Sequence, residues 1–163
     1  MILRQDEMRR RIAREHVVRL ATIDERGRAH VVPVIFAVDG NVFYSPTDRP
    51  SEARPRPAKR LSHLEHDPRV TVLADFYDDD WLKAWWVRLR GTGRVVGEGP
   101  ERTRVAGLLD RKYRQFAGAA YLEDGGPVLA VDIEDWTGWA YTDRPAGARG
   151  RRPWRARPRR RSR

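Results

Sequence analysis

The sequence predicts a mainly β, α+β fold: a small six-stranded antiparallel barrel with connecting helices. Three observations predict it. Short segments of alternating apolar and polar residues recur between turn signals. Asp39-Gly40 is a strong hairpin dipeptide between two apolar runs. Two segments, opened by Pro57 and Pro100, switch to the helical period.

The elements follow in order. Residues 5–16 read as a short charged helix with Met8 and Ile12 on one side. Val17 to Asp24 reads as the first strand, with Glu25-Arg26-Gly27 as its turn. Ala29 to Val38 reads as one second strand, so nearly continuous in apolar residues that burial on both faces is expected. Pro33 lacks an N–H, so this strand should bulge or lie at an edge there. Val42 to Ser45 is the third strand. Pro46, Pro50, Pro55 and Pro57 make a loop, and the Pro57 helix runs to about Glu65, with Ala58, Leu61 and Leu64 as its apolar stripe.

Val70, Val72, Ala74 and Phe76 alternate as a fourth strand, which Asp78-Asp79-Asp80 ends. In the fifth, Trp85, Val87 and Leu89 alternate with Trp86, Arg88 and Arg90. Gly91 and Gly93 allow the bend that a small barrel needs. The Pro100 helix places Val105, Leu108, Leu109, Tyr113 and Phe116 on one face. Leu129, Val131 and Ile133 then alternate in a sixth strand ending near Tyr141.

The 163 residues suit one domain, and no apolar run is long enough to span a membrane. There is no cysteine, so disulfides and thiolate metal sites are excluded, and a cytoplasmic location is expected. The net charge of +10 belongs to residues 144–163, which hold ten arginines and no acid. The folded part, residues 1–143, is therefore near neutral. The tail is expected to be disordered and dispensable for folding, with Trp154 its one candidate anchor. A nucleic-acid role beyond contacts of this tail is not expected.

Three constellations carry chemistry. Arg49, Arg54, Arg56, Lys59 and Arg60 lie in a proline-stiffened loop running into a helix start. Cations oppose the helix dipole there unless an anion sits among them, and the alternative is a solvated basic loop. Arg88, Arg90 and Arg94 share one strand face, to meet a ligand's acids or those of a neighbouring strand. Trp85 and Trp86 are adjacent on a strand, so one must face a partner, a ligand or solvent. His63 and His66 could approach a metal together, but no third ligand is evident and no metal site is assigned. Hydrolase, kinase and dinucleotide-binding glycine motifs are absent, which leaves room for a cofactor to carry the chemistry.

Several segments, in order, resemble one family. They are Val18-Arg19-Leu20-Ala21-Thr22, Pro33-Val34-Ile35-Phe36, Asp39-Gly40, Lys59-Arg60-Leu61 and Pro68-Arg69-Val70. Asp79-Asp80-Trp81, Trp85-Trp86-Val87-Arg88, Val131-Asp132-Ile133-Glu134 and Trp136-Thr137-Gly138-Trp139 complete the series. The chain resembles the deazaflavin (F420)-dependent branch of the pyridoxamine 5'-phosphate oxidase-like, FMN-binding split-barrel family. The resemblance implies a homodimer with a coenzyme in a cleft between subunits. It implies that Arg54, Lys59 and Arg60 hold the phosphate-bearing arm. It places the ring near Pro33, Val34 and Ser45; Trp86 and Arg88, from the outward and cationic face of the fifth strand, are the further candidates for contact with the coenzyme. Asp48-Arg49-Pro50-Ser51-Glu52 stands where close relatives carry more lysine. The implied activity is hydride transfer between reduced F420 and a small organic acceptor, with no catalytic side chain assigned. FMN in the same fold, or coenzyme binding without turnover, are the alternatives.

Overall fold

The computed structural model describes residues 1–47, 58–114 and 126–142. Three helices appear: α1 (Gln5–Arg14), α2 (Lys59–His66) and α3 (Pro100–Lys112). Seven strands accompany them: β1 (Val18–Ile23), β2 (Ala29–Val34), β3 (Ala37–Asp39), β4 (Val42–Pro46), β5 (Arg69–Phe76), β6 (Trp85–Val96) and β7 (Val128–Ala140). A 3-10 turn, Trp81–Lys83, leads into β6. The strands form one antiparallel sheet in the order β2-β1-β5-β6-β7-β4-β3. Its two edge strands, β2 and β3, are joined by Ile35 and Phe36 alone. So short a link reaches only about 11 Å, which forces the sheet to curl into a half-barrel.

Seven strands replace the six expected, because the Ala29–Val38 run breaks at Ile35-Phe36. The Tyr113 hydroxyl causes the break. It accepts the Phe36 N–H at 2.8 Å and lies 3.0 Å from the Phe36 carbonyl, withdrawing both from a ladder. Nor is the run buried on both faces. Along β2 the exposure alternates, and Val31 is 58 % exposed. The apolar content fits an edge strand, the position expected for Pro33, which pairs only with Arg19.

The inner face of the curl holds Val18, Leu20, Phe43, Val72, Val87, Leu89, Leu129 and Val131, all fully buried. Helix α1 closes one side through Met8 and Ile12, as its spacing predicts. Helix α2 plugs one end of the barrel through Leu61 and Leu64. It begins at Lys59, with Ala58 as its uncapped N-terminal residue; Pro57 lies outside the described residues. Helix α3 packs Val105, Leu109 and Tyr113 on the outer face, against Ala37, Tyr44 and Ala130. Phe116, expected on the same stripe, lies outside the described residues, as do Trp154 and the arginine tail. Of the tryptophan pair, Trp85 is in the core and Trp86 is half-buried on the outer face.

Arg94, on the same face of β6 as Arg88 and Arg90, takes the second of the two roles expected there and pairs with an acid of a neighbouring strand. It pairs with Glu101 of α3 at 2.8 Å and with Asp132 of β7 at 3.0 Å. Glu101 also accepts the Tyr44 hydroxyl at 2.8 Å, tying α3 to the sheet.

Lys112 ends α3 with its ammonium 3.3 Å from the centre of the Phe36 ring. Burial pushes its pKa down to about 8, against a smaller opposing pull from Glu15. The folded protein thus holds this proton less tightly than the unfolded chain, where the value is 10.5. The charge is a cost below pH 8 that fades as pH rises towards 10.5. Partial solvent exposure and the ring's attraction for the cation both reduce it. Lys112→Met is therefore expected to stabilise the fold by about 1 kcal/mol at pH 7 and by less at pH 10. Urea denaturation of both proteins at the two pH values checks this. A variant less stable at pH 7 would show that the cation–ring contact outweighs burial.

Candidate functional site

Two places combine polar side chains with open space. The first is the outer face of β2-β1-β5-β6, which no described element covers. Strand register aligns Pro33, Arg19, Leu73, Arg88 and Thr137 across it. Asp75, Trp86 and Trp139 form a second row in register. All these side chains alternate away from the core. Leu73 is 36 % exposed, which leaves apolar surface between the polar groups. Arg88 lies over the Trp86 ring at 5.6 Å. Its Nε is buried and has no hydrogen-bond partner among the described residues. Asp75 Oδ1 is also buried without a hydrogen bond, although Arg19 stands 3.0 Å away as an ion pair off the bonding angle. Orphaned buried polar atoms are costly, so two on one bare face mark a surface built to be covered.

The second place is a cleft of about 610 Å³ between α2 and the β1–β2 turn. Lys59, Ser62 and His63 line it from α2, and Arg26, Arg28 and His30 from the hairpin. Thr22 and His30 are directly opposed in the ladder, and both side chains point towards α2. His63 meets them there: its Nδ1 is 2.8 Å from the Thr22 hydroxyl, and its ring is edge-on to His30 at 5.2 Å.

The residues singled out for a coenzyme do not meet in one place within a single chain. Pro33, Trp86 and Arg88 share the outer face. Lys59 lines the cleft, whereas Arg60 turns aside and donates to the Pro46 carbonyl at 3.3 Å. Val34 is 6 % exposed and Ser45 fully buried, so their side chains face the core and only their main chain is available. Arg54 lies outside the described residues, with Arg49 and Arg56. Sequence reasoning passed over Thr22, His30 and Asp75. The signal for the first two was present, since they stand at equal distances from Arg26 at the hairpin tip. Among the described residues no three histidine or acidic side chains gather as a metal site would require. No helix among them is long and apolar enough to cross a membrane.

A sequence profile described as pyridoxamine 5'-phosphate oxidase matches residues 5–140. The chain belongs to this family. No curated protein matches this pyridoxamine 5'-phosphate oxidase-like chain. Among solved structures it is similar to the conserved hypothetical protein Rv2991 from Mycobacterium tuberculosis, with TM-score 0.69 and 18 % identity, covering 85 % of this chain and 86 % of that one. It is similar to HutZ, the heme storage protein from Vibrio cholerae, with TM-score 0.63, 14 % identity and coverage of 83 % and 93 %. It is also similar to the FAD binding protein from Mycobacterium smegmatis, with TM-score 0.56, 19 % identity and coverage of 87 % and 100 %. At such identities these likenesses show the fold alone.

The bare outer face suits a flavin-type ring. A flat heterocycle has an apolar face for Leu73 and Trp86, and polar edges for Arg88 and Asp75.

Proposed function

We propose that this protein is an oxidoreductase holding a flavin-type coenzyme, deazaflavin F420 in the form we favour, between the outer sheet faces of two copies. The observation that carries the reading is the unpartnered Arg88 Nε on an uncovered, partly apolar face, in a chain of this family. Bound there, the coenzyme would supply hydride chemistry towards a small organic acceptor. Arg88 would donate to an electron-rich edge of the ring, and Trp86 would cover it. Leu73, Pro33 and the main chain of Val34 would exclude water. Arg60, with Arg54 from the preceding loop, would hold the phosphate-bearing arm, whereas Lys59 lines a separate cleft and is left out of that arm's site. A second copy would cover Val31 and Leu73, which are exposed in a single chain.

Titration with purified F420 and with FMN, followed by tryptophan fluorescence, tests the reading, because Trp86 lies in the expected contact. A charge-assisted hydrogen bond is worth about 1.5–3 kcal/mol, so Arg88→Ala and Arg60→Ala should each weaken binding roughly ten- to a hundredfold. Melting temperature should fall little, since neither side chain is in the core. Light scattering should show a dimer. Failure of both coenzymes to bind, or unchanged affinity in both variants, would defeat the proposal. Tighter binding of FMN than of F420 would keep the site and change the coenzyme.

A further inference from the structure

The cleft between α2 and the β1–β2 turn lies apart from the sheet face just described, and its chemistry is that of an anion receptor. Its acids are largely used up. Asp24 accepts the N–H groups of Arg26 and Arg28, both at 2.9 Å, and the Arg28 guanidinium at 2.7 Å. Those hydrogen bonds hold its carboxyl down to about 2. Asp24 and Arg28 therefore cancel, leaving Arg26 and Lys59 against the exposed Glu25.

His63 supplies a directed donor. It is 8 % exposed, and among the described residues its one hydrogen bond is between Nδ1 and the Thr22 hydroxyl. The Thr22 hydroxyl is buried and has no other partner among the described residues, so it satisfies its proton by donating to Nδ1. With Nδ1 accepting, Nε2 is the ring nitrogen that carries a proton to donate. The Nε2–H has no partner among the described residues, on a ring that lines the cleft. The groups facing His30 also favour a negative guest. Its pKa is lowered first by burial and then by His63, Lys59 and Arg60, with Asp24 the one opposing charge. Helix α2 begins here with no capping side chain and no acid in its first turn.

We infer that this cleft binds a small phosphate-class oxyanion through the His63 Nε2–H, Lys59 and His30, separately from the coenzyme. A volume of about 610 Å³ exceeds what bare phosphate fills and leaves room for an organic group on the ester oxygen.

The four histidines, His16, His30, His63 and His66, make the test direct. Ring proton–carbon spectra of the full chain are recorded at pH 7.5 during titration with inorganic phosphate, and separately with glycerol phosphate. Saturable shifts of His30 and His63, with His16 and His66 unmoved, are expected. Tighter binding of the ester would make a phosphorylated small molecule the guest; tighter binding of free phosphate would make it the ion. Lys59→Ala, an exposed position, should raise either dissociation constant about tenfold at unchanged melting temperature. Excess F420 or FMN should leave the shifts intact, whether or not those coenzymes bind elsewhere. Shifts that are non-saturating or uniform over the four rings would overturn the inference. So would an unaffected Lys59→Ala, and loss of the shifts on adding either coenzyme would assign the cleft to the coenzyme instead.

Discussion

Gly91→Ala is expected to destabilise the protein by about 3 kcal/mol or more, the largest loss foreseen for any single substitution considered. Gly91 faces the inside of β6, at the point where its register against β7 slips by one residue. A β-carbon there would overlap the carbonyl oxygen of Asp132, lie 2.9 Å from its carbonyl carbon and 3.1 Å from the Ile133 Cα. All three atoms are main chain of the neighbouring strand and cannot rotate away. Either the two strands separate and lose ladder hydrogen bonds, or the bend at the bulge opens. Gly93 and Gly138 are the controls. A β-carbon at Gly93 meets side chains of Leu64 and Val70, and one at Gly138 meets the flexible Met8 as well as the Trp86 carbonyl at 3.2 Å. Those neighbours can yield further, so smaller losses are expected. Chemical denaturation of the three alanine variants checks the ranking. A Gly91 variant no weaker than the Gly93 variant would mean that β6 and β7 part at no cost.

The bend at Gly91 shows what was legible in the sequence. Glycines two apart in an alternating run signalled a bend; the register slip lies at Gly91, and the close approach to Asp132 there is what the structure adds. Local pattern likewise gave α1, α3, β4, β5 and the core position of Trp85, because each depends on spacing within one segment. The break at Ile35-Phe36 was not legible. It depends on a tyrosine 77 residues away, which no local pattern reports. The apolar richness of β2 was misleading for a related reason. Val31 and Val32 look alike as letters; Pro33 pointed to a bulge or an edge, but only the sheet order shows that β2 is an edge with one bare face. The candidate site was legible in kind and not in arrangement. The arginine face of β6 could be read from alternation, as could the neighbouring-strand acid that Arg94 finds in Asp132; its second partner, Glu101, lies on α3 and could not. Lys59 and Arg60 are adjacent letters that the helix turns about 100° apart, so one enters a cleft and the other reaches β4. The Thr22–His30–His63 cluster needed the docking of α2, a tertiary fact.

Tyr113→Phe should cost about 2–3 kcal/mol although it removes one oxygen atom. Tyr113 is 2 % exposed at the end of α3. Its hydroxyl accepts the Phe36 N–H at 2.8 Å. Its single proton can be given either to the His16 carbonyl at 2.8 Å or to the Phe36 carbonyl at 3.0 Å. The oxygen thus joins three parts of the chain: the segment between α1 and β1, the β2–β3 break, and α3. Phenylalanine keeps the packing and leaves the Phe36 N–H buried with nothing to donate to, the costly half of a broken hydrogen bond. For a chain of this size the loss corresponds to a fall in melting temperature of roughly 5–10 °C. Amide exchange gives the sharper test. If the hydroxyl holds the break in place, the Phe36 amide should lose protection more than Val18 or Leu20, which stay in the β1 ladder. Equal loss across the sheet would mean only that global stability fell. An unchanged Phe36 amide would mean that the two-residue link between the sheet edges is shaped by the curl itself. Pro33 and Val34 lie just upstream, so the same variant should also loosen the edge strand that we propose lines the coenzyme. Its coenzyme affinity should fall less than that of Arg88→Ala, because Tyr113 acts there only through the position of β2.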